Sequence, residues 1–155
     1  MSVFSLDTSA LVKRYMLETG TGWVRALTDP GAGNTLILAE IGMVEAAAAI
    51  AAKHRAPRGI SRSEQDVAVR LLVQHCATEY ELVPVDRAIL DRALLLTQQH
   101  RLRGYDAVHL ASALAANAVL ITVCSPALTL VTGDRDLRDA AAREGLAVDN
   151  PEDHP

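Results

Sequence analysis

The chain has 155 residues, 50% of them hydrophobic, 22% charged and only 3% aromatic, with nine Gly, six Pro and two Cys. That length supplies one core and not two; the aliphatic content excludes a disordered chain, and the Gly, Pro and Cys counts exclude a collagenous or disulfide scaffold. The formal charge of −4, from 15 basic and 19 acidic residues, does not by itself name a nucleic acid as partner, and five aromatics are too few for a stacking platform under single-stranded bases.

The first seven residues carry no basic segment followed by a long apolar run, and the longest apolar stretches, 46–52 and 118–121, fall short of a bilayer span. A cytoplasmic protein with no membrane partner is expected. Cys76 and Cys124 form no C-x-x-C pair, so two buried, reduced thiols are expected and neither a zinc knuckle nor a redox pair.

Residues 3–6 form a short apolar strand closed by Asp7-Thr8-Ser9, three helix-capping types, and 10–17 follow at helical spacing until Gly20 and Gly22. A second short helix over 23–27 is broken by Asp29-Pro30-Gly31. Residues 35–38 read as a strand, and about 39–54 as a long Ala-rich helix stopped by Pro57 and Gly59. Ser61 and Glu64 are spaced as a capping box, opening a helix with Val67, Leu71, Leu72 and Cys76 at helical intervals. Residues 81–85 read as a third strand, which Pro84 places at an edge or a strand end. Asp86 then caps a helix expected to turn Ile89, Leu90, Ala93 and Leu94 inward, and Gly104 precedes a helix from Tyr105 to at least Ala116. Residues 119–123 fit either a strand or the end of that helix, with Ser125-Pro126 as the break. A strand over 128–132, a turn at Gly133-Asp134, a helix over 135–144 and a last short strand at 147–148 complete the chain. The alternation predicts an α/β fold: a single domain over 1–150, with a mainly parallel sheet of about five strands and helices on both faces, and a short polar tail at 151–155.

Ligands of open α/β sheets bind beyond the carboxyl ends of the strands. Asp7 and Asp134 sit where strands end, Glu45 lies inside the helix after the second strand, and Asp106 begins the helix after Gly104. Each also has a plainer reading: Asp7 and Asp134 as helix N-caps, Asp106 as a first-turn acid favoured by the helix dipole, Glu45 as part of a solvated face. Glu45 has no basic partner three or four residues away, and its neighbours Ile41, Gly42, Ala48 and Ala49 are small or apolar, so burying it requires compensation. If the four converge, each pair about 5 Å apart repels by about 3 kcal/mol at an effective dielectric of 20. Such a cluster needs protonation, basic neighbours or a cation, and oxygen-only ligands select Mg²⁺ or Mn²⁺ rather than zinc. Phosphate loops, dinucleotide fingerprints and nucleophile elbows are missing from the sequence. His109, three residues after Asp106, is open between packing and orienting a carboxylate; Arg14, Arg101 and Arg103 are open between phosphate contacts and plain surface charge.

Four segments in order, Asp7-Thr8-Ser9-Ala10-Leu11-Val12-Lys13, Val44-Glu45, Leu102-Arg103-Gly104-Tyr105-Asp106-Ala107-Val108-His109-Leu110-Ala111 and Val131-Thr132-Gly133-Asp134-Arg135-Asp136-Leu137, resemble a PIN domain, and within it the VapC-type toxins of type II toxin–antitoxin pairs. The resemblance spans residues 3–151. It implies that Asp7, Glu45, Asp106 and Asp134 hold one or two Mg²⁺ or Mn²⁺ ions, with Asp136 as a fifth acid acting through water or merely in the first turn of its helix, and Ser9 and Thr132 orienting carboxylates. It implies a metal-dependent endoribonuclease acting on RNA, a homodimer, and a VapB-type antitoxin whose Arg, pointing at the acids, would compete with metal. The alternative from another class is a catalytically inactive PIN-like or receiver-like protein-binding module, which metal would not stabilise.

Overall fold

The computed structural model describes residues 2–154. Strand β1 (Val3–Leu6) is followed by helices α1 (Thr8–Tyr15) and α2 (Thr21–Leu27), strand β2 (Thr35–Ala39), helices α3 (Ile41–Arg55) and α4 (Arg62–Thr78), and strand β3 (Tyr80–Val83). Then come α5 (Arg87–Gln99), α6 (Gly104–Thr122), β4 (Leu128–Val131), α7 (Arg135–Arg143) and β5 (Ala147–Asp149). The five strands are all parallel, in the order β3-β2-β1-β4-β5. This is the α/β architecture expected from the alternation of elements.

Strand alternation distributes the core over both faces of the sheet. Val3, Ile37, Leu128 and Leu130 face α5, α6 and α7, where Leu96, Leu110 and Leu137 are buried. Leu6, Leu36, Leu38 and Val131 face α1, α3 and α4, against Leu11, Ile50 and Leu72. The chain leaves β1 toward β2 and β3 on one side and returns to β4 and β5 on the other. The strand order therefore reverses between β1 and β4, and a crevice opens beyond their carboxyl ends. Leu6 pairs with Val131, and the Asp7 amide donates to the Val131 carbonyl at 3.2 Å, so the loops after the two strands leave side by side.

Several local readings change. The strand expected over 35–38 runs one residue further, Ala39 pairing with Val83, so the long helix begins at Ile41 rather than at 39. Residues 119–122 finish α6, and the chain turns at Cys124 with φ +53° before Pro126. That cysteine is exposed rather than buried; Cys76 is buried as expected. The edge position of β3 explains how Pro84 is accommodated, just past its last paired residue. In α5 the core takes Ile89, Ala93 and Leu96, leaving Leu90 and Leu94 exposed: the helix carries more leucine than one packed face can cover. Val67 and Leu71 of α4 are likewise exposed, and Ala68, Leu72 and Cys76 form its inner face. Helix α6, 19 residues, is long and apolar enough to cross a membrane although no single apolar run in the sequence is; its residues 107–113 are buried in the core.

Of the polar tail expected over 151–155, residues 151–154 pack on the domain, and Pro155 lies outside the described residues. Pro151 is buried in a 3₁₀ turn, and His154 stacks on Trp23 with ring centroids 4.3 Å apart. A Cβ on Gly20 would lie 2.2 Å from the Pro151 carbonyl oxygen, and Gly20 has φ +83°, so glycine is required there twice over. Lys13, buried in α1, reaches Glu18 at 3.5 Å and Glu152 at 3.4 Å, a clamp no sequence pattern announced.

Candidate active site

Both Asp7 and Asp134 are helix N-caps. Asp7 Oδ1 accepts from the Ala10 amide at 2.9 Å, and Asp134 Oδ1 accepts from the Leu137 amide at 2.9 Å. Capping satisfies an amide that α1 or α7 would otherwise leave unpaired, and it fixes the carboxylates at the mouth of the crevice. Two hydroxyls stitch the loops together. Thr132 Oγ1 donates to Asp7 Oδ2 at 2.7 Å and accepts from the Asp134 amide at 3.0 Å; Ser9 Oγ donates to Asp7 at 2.8 Å and accepts from the Gly133 amide at 2.9 Å. Asp7 is only 4% exposed. Burial pushes its carboxyl up, and the hydrogen bonds from Thr132, Ala10 and Ser9 and the charge of His109 only partly pull it back.

Glu45 enters from α3. Its Oε2 accepts from Thr8 Oγ1 at 2.9 Å and lies 2.5 Å from His109 Nε2 on α6, itself buried. The compensation missing from its own helix is therefore supplied by two other elements. Gly42 leaves room for the approach, since a Cβ there would sit at a tight 3.3 Å from His109 Cε1. Burial pushes the Glu45 carboxyl up, but the His109 hydrogen bond and charge, with Thr8, outweigh it and hold the carboxyl below its ordinary range. His109 thus binds a carboxylate rather than serving as mere packing. Glu40, the residue preceding α3, does not line the cavity that holds Glu45.

Asp106 lies in the first turn of α6, and the residue capping that helix is Arg103. Arg103 Nε donates to Asp106 Oδ2 and its Nη2 donates to Asp134 Oδ2, both at 3.0 Å. Asp7, Glu45, Asp106 and Asp134 line one open cavity of about 320 Å³, together with Thr8, Ser9, Arg103, Tyr105 and His109. Asp136 lies outside it, 3.5 Å from Arg101 Nε, in an adjoining cavity that shares Arg103, Asp106 and Asp134. Arg14 is elsewhere: its guanidinium is bonded to Glu79 and to the Tyr80 hydroxyl, both at 2.6 Å, and it serves the packing of α1 on α4 and β3. Thr8 and the bridging role of Arg103 were not foreseen. The spacing of Arg103 and Asp106, three residues apart on one helix end, was the available signal; the reach to Asp134 was not legible.

Residues 5–143 match the family model of the PIN domain. The chain belongs to the PIN domain family. Two curated relatives, Ribonuclease VapC45 and Ribonuclease VapC49 of Mycobacterium tuberculosis strains, are each 33% identical over 148 residues, covering 96% of this chain and 95% of theirs. Among solved structures, the chain resembles one from the VapBC2 complex of Rickettsia felis bound to a promoter DNA fragment, with a TM-score of 0.61, 14% identity and coverage of 96% of this chain and 98% of that one. It also resembles a chain of a toxin–antitoxin complex from Klebsiella pneumoniae, with a TM-score of 0.56, 18% identity and coverage of 97% and 98%. At such identities these structures speak for the PIN fold alone, and they agree with it over nearly the whole chain.

The donor set is entirely oxygen and suits a hard divalent cation. Among the described residues no three acids or histidines yet close to ligating distance of one point, and a guanidinium spans two of the four carboxylates. The arrangement fits a cation because one positive group is already held there.

Proposed function

We propose that the protein is an Mg²⁺- or Mn²⁺-dependent endoribonuclease, the toxin of a type II toxin–antitoxin pair acting in the cytoplasm. The observation that carries the reading is the convergence of Asp7, Glu45, Asp106 and Asp134 on one cavity at the strand-order reversal of a PIN domain, supported by relatives named ribonucleases. The four acids hold the cation, and Asp136 acts from the rim through water. A divalent cation bound there supplies acidification of a water and neutralisation of charge building on the phosphodiester oxygens.

The chain's own groups do the rest. Thr132, Ser9 and the Ala10 amide fix Asp7, so its position is set before any ligand arrives. His109 and Thr8 hold Glu45 through Oε2 and leave Oε1 without a hydrogen bond among the described residues, directed to orienting the attacking water or accepting its proton. An empty acidic cavity repels a phosphodiester, so RNA affinity and cleavage both rise with cation.

A VapB-type antitoxin is proposed as partner because the structural neighbours come from toxin–antitoxin assemblies; its Arg would compete for the same carboxylates. A homodimer is supported by the large apolar side chains left exposed on α5 (Leu90, Leu94, Leu95) and at the end of α6 (Val119, Ile121, Val123). Light scattering of wild type and Leu94→Glu checks it, with a monomeric wild type refuting it. The decisive experiment for function is cleavage of a total-RNA pool by antitoxin-free protein in Mg²⁺, Mn²⁺ or EDTA, beside Asp7→Asn. Cutting that needs metal and vanishes in the variant is expected; equal results for both proteins would replace the nuclease by the protein-binding module.

A further inference from the structure

Arg103 is an exposed arginine, its side chain 81% accessible, that nevertheless closes on two carboxylates which are themselves mostly shielded. It donates Nε to one and Nη2 to the other, spending two edges of its planar fork on acids 28 residues apart in sequence (134 minus 106). An exposed ion pair to a single carboxylate is common and weak; a guanidinium shared between two site acids is a different object. The accepting atoms are Asp106 Oδ2 and Asp134 Oδ2, and Asp134 Oδ1 is already committed to capping α7. A cation entering between these acids and the guanidinium therefore compete for the same oxygens.

Where the displaced side chain goes is constrained by its backbone. Arg103 is the N-cap residue of α6, with extended φ −72° and ψ 158°, and its carbonyl accepts from the Ala107 amide at 3.0 Å. The Cα stays with the helix, so only the side chain moves. It stands where the two cavities meet, one lined by Asp7 and Glu45 and the other by Arg101 and Asp136. Once a divalent cation neutralises Asp106 and Asp134, the freed fork stands at that junction within reach of a phosphate lying across it, and guanidinium geometry suits bidentate phosphate contacts.

We propose that Arg103 is the resident counter-ion of Asp106 and Asp134, that the divalent cation displaces it, and that the displaced guanidinium then binds a phosphate of the RNA backbone beside the scissile bond. The inference rests on the nuclease reading above and adds to it an exchange: one arginine holds the empty site together and serves the substrate in the loaded one. Arg101, two residues earlier, exposed and among the described residues paired with Asp136 alone, is the internal control, since it bridges no pair of site acids.

The test is Mn²⁺ titration calorimetry on wild type, Arg103→Ala and Arg101→Ala, together with fluorescence anisotropy of a labelled single-stranded RNA in Ca²⁺ and in EDTA. Removing a competing cation should tighten Mn²⁺ binding by about tenfold in Arg103→Ala, a coupling of ordinary size, and leave Arg101→Ala within about twofold of wild type. RNA affinity of Arg103→Ala should fall about tenfold in Ca²⁺, the effect of losing one charge-assisted contact, and match wild type in EDTA. Equal or weaker Mn²⁺ binding by Arg103→Ala refutes the exchange. A loss of RNA affinity that is the same with and without metal also refutes it, since the contact would then be permanent. Failure of all three proteins to bind Mn²⁺ refutes instead the metal site on which the nuclease reading stands, a result distinguishable from either of the others.

Discussion

Asp7→Asn should inactivate the protein and, without metal, make it more stable. The carboxylate is almost fully buried, and taking an ion out of water has an effective cost of several kcal/mol even after relaxation. Three donors offset that cost: Thr132 Oγ1, Ser9 Oγ and the Ala10 amide. Asparagine keeps an acceptor for Ala10 and Ser9. It presents an amide to Thr132, whose hydroxyl must then accept rather than donate. Converting three charge-assisted bonds to neutral ones forfeits about 1 kcal/mol each, or about 3 kcal/mol in all, against recovery of the full desolvation term. Burial is the larger influence on Asp7, so the balance should favour the variant by about 1 kcal/mol, which for a domain of this size is about 2–4 °C in Tm. Because the folded carboxyl is raised above its unfolded value, the native state keeps its proton to higher pH than the unfolded chain. The stability tied to that proton is complete below the unfolded pKa of about 3.9 and is lost as pH rises through the folded one. The advantage of Asp7→Asn should thus be present at pH 7.5 and absent below about pH 4. With Mn²⁺ at a hundred times its Kd the order reverses, wild type gaining about 2.7 kcal/mol by mass action and the variant nothing. Differential scanning fluorimetry in EDTA and in Mn²⁺ across this pH range checks all three statements. A variant less stable than wild type in EDTA at pH 7.5 would refute the reasoning, showing the hydrogen bonds to outweigh burial.

His109→Ala should lower cleavage about 10–100-fold by releasing Glu45, the usual effect of losing a group that orients a ligand, with the fold intact by circular dichroism; initial rates at saturating Mn²⁺ measure it. Glu45→Gln, Asp106→Asn and Asp134→Asn should each lose at least about a hundredfold in kcat/KM, and Asp136→Asn less than about tenfold, because only the first three share a cavity with Asp7; gel-based rates on one RNA decide it. Arg14→Ala should destabilise by about 2 kcal/mol, a partly exposed version of breaking a buried pair, because it leaves Glu79 only the more distant His75 Nε2 at 3.6 Å and the Tyr80 hydroxyl only Tyr15. Urea denaturation reads the loss, and cleavage at 20 °C should stay within about twofold of wild type.

The parallel sheet was legible because β1, β2 and β4 are short, mainly apolar runs, because capping aspartates follow β1, β3 and β4, and because the helices between strands are long enough to cross over. The face of each helix was harder to read. In α5 four leucines lie within seven residues, and which of them point inward depends on how α6 packs, information no local period contains. The end of α6 was ambiguous for the same reason: Val119, Ile121 and Val123 look like a strand in sequence, yet no neighbouring strand pairs with them. Asp7 and Asp134 were findable at strand ends. Glu45 was findable only as an unpaired acid on an apolar stretch, and its partners Thr8 and His109, 37 and 64 residues away, are brought to it by the fold. The Lys13 clamp on Glu152 was invisible for the same reason of distance.

Capping and ligand binding looked like rival explanations for Asp7 and Asp134, and the geometry lets one arrangement serve both. A carboxylate has two oxygens, and an N-cap commits one of them to an amide of its own helix. At the carboxyl end of a parallel strand this commitment turns the second oxygen toward the crevice, with the side chain's rotamers already restricted. For Asp134 the second oxygen meets Arg103; for Asp7 it meets Thr132, which also holds the Asp134 backbone. The orientation that a cation site would need is thereby achieved by interactions that also stabilise α1 and α7, leaving the burial of Asp7 as the main cost of the metal-free site. Two further groups meet the acids from different depths, His109 holding Glu45 from the core and Arg103 bridging Asp106 and Asp134 from the surface. Of the two, only Arg103 is exposed enough to swing away, so the exchange proposed above falls to it by burial.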